Sequence, residues 1–365
     1  MEGRILGGTW VIDRALGAGG MGAVYRAHNV HAPRIRAAIK LLHPGLFDGQ
    51  ARQRFIREAE LVANLDHPHV VKVRNIRLDD ELPFLEMELV EAANLLEHMG
   101  DAPLPIDQAL VFFEQLVSAI RYLHRQGIAH RDVKPANLLI RKGTMLTLVD
   151  FGLAVEGEEG LLAEAAEPPP IGTVAYAPPE WITPDQLDPY LWDLYACGVV
   201  LYQMLCGTLP FDADGASDAR HAALAVMAQK AATPHLDPGP AFPEPLRALV
   251  RDLTARDLRQ RLQPARELAK RVHDVQGALS VDPDMVLAKG LHGDELRQAV
   301  TLRGLEATRE DTEHAEPEVF EGSLVSHSLA PAPFPTSAPR PWMVVAALLV
   351  SLLLGVAMAV AFSAL

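Results

Sequence analysis

The sequence predicts an α+β chain in two parts, a small β-rich one with one helix and a larger helical one, followed by a C-terminal transmembrane helix. Three observations predict it. Residues 9 to 90 alternate short apolar runs with turn residues, residues beyond 100 carry apolar positions at helical spacing, and residues 342 to 365 contain no charged side chain. The expected boundaries are 1–275 for the folded domain (smaller part about 9–90, larger part about 91–275), 276–341 for a juxtamembrane region and linker, and 342–365 for the membrane helix.

Within the first part, TWVIDRALGAGGMGAVYRAHN reads as two strands joined by a glycine turn, and IRAAIKLLH as a third strand. QRFIREAELVANL places Phe55, Ala59, Val62 and Leu65 at helical spacing, and VKVRNIRLDDELPFLEMEL reads as a hairpin with a charged turn. In the second part, IDQALVFFEQLVSAIRYLHRQG puts Leu110, Phe113, Val117, Ile120 and Leu123 on one helix face and closes at Gly127. The run from Leu194 to Cys206, with Asp193 before it, is apolar all round and too short to span a bilayer, the pattern of a helix through a core. Residues 276–312 are mixed and predict short helices. Residues 313–341 are rich in Pro, Ala and Ser without periodicity, which predicts a flexible linker.

Composition narrows the function. A net charge of −14 over 365 residues argues against nucleic acid, whose phosphates demand a basic face. The two cysteines, Cys197 and Cys206, lie in an apolar run with no CxxC or Cys/His cluster, so they predict buried thiols of a reduced compartment rather than zinc ligands or a disulfide. The N-terminus lacks a signal-peptide pattern. As a helix, residues 342–365 would extend roughly 36 Å, enough to cross a hydrocarbon core of about 30 Å. Arg340 before them predicts that the N-terminal bulk is cytoplasmic. Ala347, Ser351, Gly355, Ala359 and Ser363 recur every fourth residue, a spacing that permits close helix–helix contact and hence a homodimer.

Chemistry concentrates in a few motifs. Gly17-Ala18-Gly19-Gly20-Met21-Gly22 is by itself ambiguous, because dinucleotide-binding folds use the same glycine spacing. Those folds need a helix directly after the glycines, whereas VYRAH predicts a strand. A glycine hairpin between two strands can fold over a nucleotide and aim N–H groups at its phosphates. Ala38-Ile39-Lys40 ends an apolar strand with a candidate ligand for the α and β phosphates, and Glu58 on the following helix can hold it. His130-Arg131-Asp132-Val133-Lys134-Pro135-Ala136-Asn137 and then Asp150-Phe151-Gly152 carry the strongest signal. Together these motifs resemble, from residue 10 to about 272, the protein kinase superfamily and within it the serine/threonine kinases of the bacterial type.

The resemblance implies the two-lobed protein kinase fold and an enzyme that moves the γ-phosphoryl group of ATP to Ser/Thr hydroxyls of protein substrates, with Mg2+ or Mn2+; the uncharged run 342–365 adds the expectation that it is membrane-anchored. Asp132 would take or orient the hydroxyl proton, Lys134 would neutralise the transferring group, and Lys40 with Glu58 would hold the nucleotide. Asn137 and Asp150 would be the metal ligands. Leu16, Gly17, Gly19 and Gly22 would cover the nucleotide, and Val24, Ala38 and Leu139 would sandwich the adenine. Met87 falls at the gatekeeper position, with the backbone of Glu88 and Val90 at the adenine edge. Val62, Val73, His130 and Phe151 would stack between the lobes. In Gly172-Thr173-Val174-Ala175-Tyr176-Ala177-Pro178-Pro179-Glu180, Thr173 would sit near Asp132 and Lys134, and Glu180 would pair with Arg261. Asp193 would brace the catalytic loop. Where family members often have an external sensor after the span, this chain stops at Leu365, so the expected input is cytoplasmic or within the inner (plasma) membrane that it crosses once.

Three departures from the family pattern stand out. Pro178 replaces an alanine, and Leu258 and Leu262 stand where prolines are frequent around Arg261. The third is residues 153–171, the activation loop by position, with five glutamates, three consecutive prolines and no Ser, Thr or Tyr. With no hydroxyl to phosphorylate, two readings stand side by side, Glu164 or Glu167 as a fixed anion for Arg131, or a solvated acidic loop without a partner; Thr173 is the nearest alternative phosphosite. The alternative to an enzyme is a pseudokinase serving as a nucleotide-binding scaffold, which usually lacks one of Lys40, Asp132 or Asp150; all three are present.

Overall fold

The computed structural model describes residues 1–19, 22–42, 62–78, 82–100, 102–150, 174–182, 188–213, 216 and 218–280. All of them belong to a unit running Met1–Thr308, and a second unit, Arg309–Leu365, lies outside the described residues. Also outside them are Glu58, Phe151, Thr173, the acidic stretch with Glu164 and Glu167, the linker, and the expected membrane helix. Among the described residues no helix is long and apolar enough to cross a membrane.

The N-terminal part is one antiparallel sheet of β1 (Ile5–Leu6), β2 (Trp10–Gly19), β3 (Gly22–Asn29), β4 (Arg36–Leu42), β5 (Val73–Arg77) and β6 (Phe84–Met87), in the order β1-β2-β3-β4-β6-β5. Gly19 pairs with Gly22 across the glycine turn, and β3 continues as a strand. That excludes the helix a dinucleotide site would need. The two-residue period of a strand sends alternate side chains of β4 to opposite faces. Ala37 and Ile39 join Leu6, Trp10, Ile12, Ala27 and Phe84 in a small core on one face. Ala38, on the other face, belongs to the large core with Val73, Leu85 and Met87, and Lys40 shares that face by register. Lys40 does not end the strand as the sequence suggested: Leu41 and Leu42 extend it, and the lysine is only 4% exposed.

The remainder is mainly helical. Its described helices are α1 (Leu95–Met99), α2 (Ile106–Arg125), α3 (Pro189–Cys206), α4 (Ala219–Ala232), α5 (Glu244–Thr254) and α6 (Ala265–Ala278). A small antiparallel sheet, β7 (Ala93–Asn94), β8 (Leu138–Arg141) and β9 (Met145–Leu148), carries the catalytic-loop sequence into the core. The five apolar residues expected on one face of α2 are all buried. Val62 and Leu65, the described part of the helical pattern near residue 60, are buried too.

Helix α3 starts earlier than its apolar run suggested. Pro189 occupies the first turn, where its missing N–H costs nothing, and Asp188 caps it by accepting from Tyr190 N–H (2.8 Å). Asp193 therefore lies inside the helix rather than before it. The helix stops at Gly207, left-handed at φ 76°, whose N–H returns to the Gln203 carbonyl (2.8 Å). At Gly198 α3 and α5 approach closely: a Cβ there would stand 2.6 Å from Thr254 Cγ2 and 2.8 Å from Leu253 Cβ. Gly198→Ala is thus expected to destabilise the fold by about 1–3 kcal/mol through overpacking, measured as a lower thermal midpoint.

Candidate active site

The catalytic loop is built on helix α3. The Asp193 carboxylate, 0% exposed, accepts from the backbone N–H of His130 (2.8 Å) and of Arg131 (2.7 Å), and from His124 Nε2 (2.8 Å). Several donors around one buried carboxylate satisfy its charge and fix the loop. Arg131 has a left-handed φ of 63°, a conformation that costs about 1–3 kcal/mol and persists only where the surroundings over-determine it. The grip of Asp193 on two consecutive N–H groups supplies that constraint.

His130 is fully buried, and desolvation holds its pKa below the usual histidine value against the pull of Asp193, Asp132 and Asp150. Its bonds agree with a neutral ring. Nδ1 accepts from the Asp132 N–H (3.3 Å), so the proton sits on Nε2 and donates to the Val149 carbonyl (3.2 Å). His130 thereby ties the loop to the backbone just before Asp150.

Asp132 is half-buried, and two donors converge on its Oδ2: Lys134 Nζ (2.7 Å) and Asn137 Nδ2 (2.9 Å). Asn137 Nδ2 also donates to the Asp132 carbonyl (2.8 Å). The short turn Pro135–Asn137 folds Asn137 back toward Asp132, and a bond from Val149 N–H to the Asn137 carbonyl (2.9 Å) joins the loop to the strand leading to Asp150. Asp150, also left-handed at φ 62°, forms an ion pair with Lys40, 110 residues earlier. The structure therefore joins Lys40 to Asp150 and groups Asp132, Lys134 and Asn137 around one oxygen.

The adenine-pocket candidates are distributed along the strands. Val24 is opposite Lys40 in register, and Ala38 is opposite Met87. Val24 and Val90 pack against the core that contains Ala38 and Met87, while Leu139 is half-buried on β8 and Leu16 is exposed on β2. Gly17 faces Val24 and Gly19 faces Gly22 in the β2–β3 hairpin. The Glu88 N–H donates to the Lys72 carbonyl (2.9 Å), and its carboxylate holds Arg141 by two bonds (2.8 and 3.2 Å). Arg141 was not anticipated from the sequence, nor was His124.

Glu180 and Arg261 meet as expected, with Arg261 Nη2 at 2.9 Å from Glu180 Oε2, and Nη1 also bonded to the carboxylate. A further buried cation, Lys230, escaped the sequence reading. The available signal was its position on α4, four residues beyond Val226 and eight beyond Ala222, on a stripe that is otherwise apolar and buried.

The donor set around Asp132 suits a hard cation shared with phosphates. Asn137 offers an amide oxygen and Asp150 a carboxylate, and Mg2+ takes one or two such ligands and keeps waters and phosphate oxygens for the rest. Among the described residues no cluster of three His, Cys, Asp or Glu forms a dedicated metal cage.

The model of the protein kinase domain matches residues 10–272. Over 305 residues the chain is 31% identical to the serine/threonine-protein kinase PrkC of Bacillus subtilis, covering 80% of this chain and 46% of that protein. It is 34% identical over 287 residues to the serine/threonine-protein kinase pkn2 of Myxococcus xanthus (76% and 33%), and 35% identical over 267 residues to PknJ of Mycobacterium tuberculosis (71% and 44%). The chain thus spans less than half the length of these relatives. Among solved structures, the Mycobacterium tuberculosis PknI kinase domain aligns with a TM-score of 0.55 at 25% identity, over 75% of this chain and 98% of that one.

Proposed function

This chain belongs to the protein kinase domain family, and on that premise we propose that it is a membrane-anchored, ATP-dependent serine/threonine protein kinase of the bacterial type. The observation that carries this reading is the convergence of Lys134 and Asn137 on Asp132 Oδ2, which leaves Oδ1 outside both bonds. Oδ1 would accept the proton of a Ser or Thr hydroxyl as its oxygen bonds to the γ-phosphorus and the bond to the ADP oxygen breaks. Lys134 would neutralise charge on the transferring group, and Lys40 would hold the α and β phosphates. Asn137 and Asp150 would hold Mg2+, or Mn2+ in its place, which would supply charge neutralisation of the phosphates when bound. Because the Glu88 N–H is already bonded to Lys72, its carbonyl and the Val90 N–H would face the adenine edge.

The test is incubation of the full chain with labelled ATP, magnesium and myelin basic protein. Label on Ser or Thr is expected. Nucleotide binding without transfer would replace the enzyme reading by that of a scaffold.

Residues 342–365 would form the single span, placing the kinase domain on the cytoplasmic face of the inner (plasma) membrane. Support comes from 24 residues without a charge and a length matched to the hydrocarbon core. The small-residue repeat from Ala347 to Ser363 would let two copies pair. Deleting 342–365 is expected to move the protein from the membrane pellet to the soluble fraction, and the isolated span is expected to score above a monomeric control in a membrane association reporter. Retention in the pellet would overturn the anchor, and a score no better than the control would overturn the pairing.

A further inference from the structure

The connection between the N-terminal sheet and the helical part runs over residues 88–92, from the end of β6 at Met87 to the start of β7 at Ala93. It carries two carboxylates, and each reaches back across the connection to the other part. Glu88 directly follows β6 of the sheet, yet it accepts two bonds from Arg141 of β8, from Nη1 (2.8 Å) and Nη2 (3.2 Å). Glu91 leads into β7, yet its Oε1 accepts from Arg26 Nη1 of β3 (2.9 Å), and Arg36 Nη1 of β4 lies 3.6 Å from its Oε2. The ion pairs of Glu88 and Glu91 thus cross the connection in opposite directions.

Strand period decides where the two arginines stand. Side chains two residues apart on a strand share a face. Arg26 is two residues beyond Val24 on β3 and opposite Ala38 in register, and Ala38 is opposite Met87. Ala27, between Val24 and its neighbours on the reverse face, belongs to the small core on the other side of the sheet. Arg141 is two residues beyond Leu139 on β8, where Leu138 and Ile140 are buried on the reverse face. Each arginine therefore shares a strand face with an apolar residue expected to sandwich the adenine. Each also grips the segment whose backbone is expected at the adenine edge.

Stability alone does not account for these pairs. Arg141 and Glu88 keep 27% and 30% of their side-chain exposure, and Arg26 and Glu91 keep 22% and 50%. Ion pairs so placed contribute little against water and salt. Arg141 Nε is buried without a hydrogen-bond partner, so the guanidinium loses water along one edge while its two terminal nitrogens hold Glu88. What a fork of two parallel bonds supplies is direction: it fixes the carboxylate and the backbone that bears it. Arg26 is oriented from its other side by Asp13, whose Oδ2 lies 3.3 Å from Nε.

We propose that Arg141 and Arg26 are positioning residues for the nucleotide. They pin residues 88–91 to the strands that carry Leu139 and Val24, and so set the width of the adenine slot and the place of its polar edge. The proposal rests on the kinase reading above and its assignment of the adenine edge to Glu88 and Val90. Neither arginine bonds to Asp132, Lys134 or Asn137 among the described contacts, so the loss of either should weaken nucleotide binding and spare the protein substrate.

The test uses the full-length protein. ATP binding is titrated by calorimetry with magnesium, and KM is measured for ATP and for myelin basic protein, beside a thermal melt. Arg141→Met and Arg26→Met keep an apolar stem and remove the fork. Each is expected to raise the ATP Kd about three- to fivefold, and both together about tenfold or more, with the KM for myelin basic protein within about twofold of wild type. Arg141→Lys keeps the charge without the two parallel bonds and is expected to fall between Arg141→Met and wild type. The swap Glu88→Arg with Arg141→Glu is expected to return the ATP Kd to within about twofold of wild type. An unchanged ATP Kd in the double Met variant, equal rises in both KM values, or a swap that binds ATP no better than Arg141→Met would overturn the proposal. If a Met variant does not fold, Arg141→Lys decides: a raised ATP Kd supports the proposal and an unchanged one overturns it. A wild type that binds ATP without transferring phosphate overturns the enzyme reading alone, and the Kd comparison still decides the proposal. A wild type that binds no ATP overturns both.

Discussion

Asp132→Asn is expected to lower the rate of protein phosphorylation by about 10²–10⁴-fold while leaving the melting temperature close to that of the wild type. The geometry explains why the two effects separate. Lys134 and Asn137 both donate to Oδ2. An asparagine can turn its single oxygen to that position and keep both bonds, with its amide NH2 in place of Oδ1. What is lost is an anionic acceptor at the atom that would take the hydroxyl proton. Nearly all the loss should therefore appear in kcat, with the ATP KM little changed, because Asp132 makes no bond to Lys40 or to the glycine hairpin among the described contacts. Steady-state assays with magnesium and labelled ATP, beside a thermal melt, check both parts. Activity within a few-fold of wild type would remove Asp132 from the proton-accepting role.

The second large effect is on stability. Arg261 is 2% exposed; it holds Glu180 with both terminal nitrogens, donates from Nε to the Ala255 carbonyl (2.9 Å) and lies 5.1 Å from the Tyr195 ring centroid. Arg261→Ala takes the guanidinium from a buried carboxylate, and breaking a buried pair from one side costs about 3–5 kcal/mol. For a domain of this size that corresponds to a fall of roughly 10 °C in the thermal midpoint. The double replacement Glu180→Met with Arg261→Leu should cost less than Arg261→Ala alone, because no unpartnered charge remains. Equal or greater loss in the double variant would show that the pair contributes mainly through packing on Tyr195.

Much of the fold was legible because it depends on local periodicity. The 3.6-residue stripe of α2 names its buried face without reference to the rest of the chain, and the apolar run of β4 marks a strand that is buried on both faces. The strand after Gly22 was readable for the same reason, since β-branched and aromatic residues directly after the glycines are poor material for a helix start. The apolar run from Leu194 does not mark the start of α3, because the Asp188-Pro189 cap sets it five residues earlier. The candidate catalytic residues stand out through their order and spacing in HRDVKPAN and DFG, and the family resemblance supplied their expected roles and the Glu180–Arg261 pair.

By itself, then, the sequence determined the strands around the glycine turn, helix α2 with the face it buries and the core run of α3, and it named the side chains expected to carry the chemistry, since these follow from residue type and spacing over a few turns. Tertiary structure alone decided the partners: Lys40 with Asp150, 110 residues away, Glu88 with Arg141, 53 away, His124 with Asp193, 69 away, and Lys230 with three carbonyls 53 to 56 residues before it. A charged side chain looks alike in a sequence whether it ends in water or in the core. Only the closing of the chain determines which oppositely charged or polar group is near enough to offset the cost of its burial.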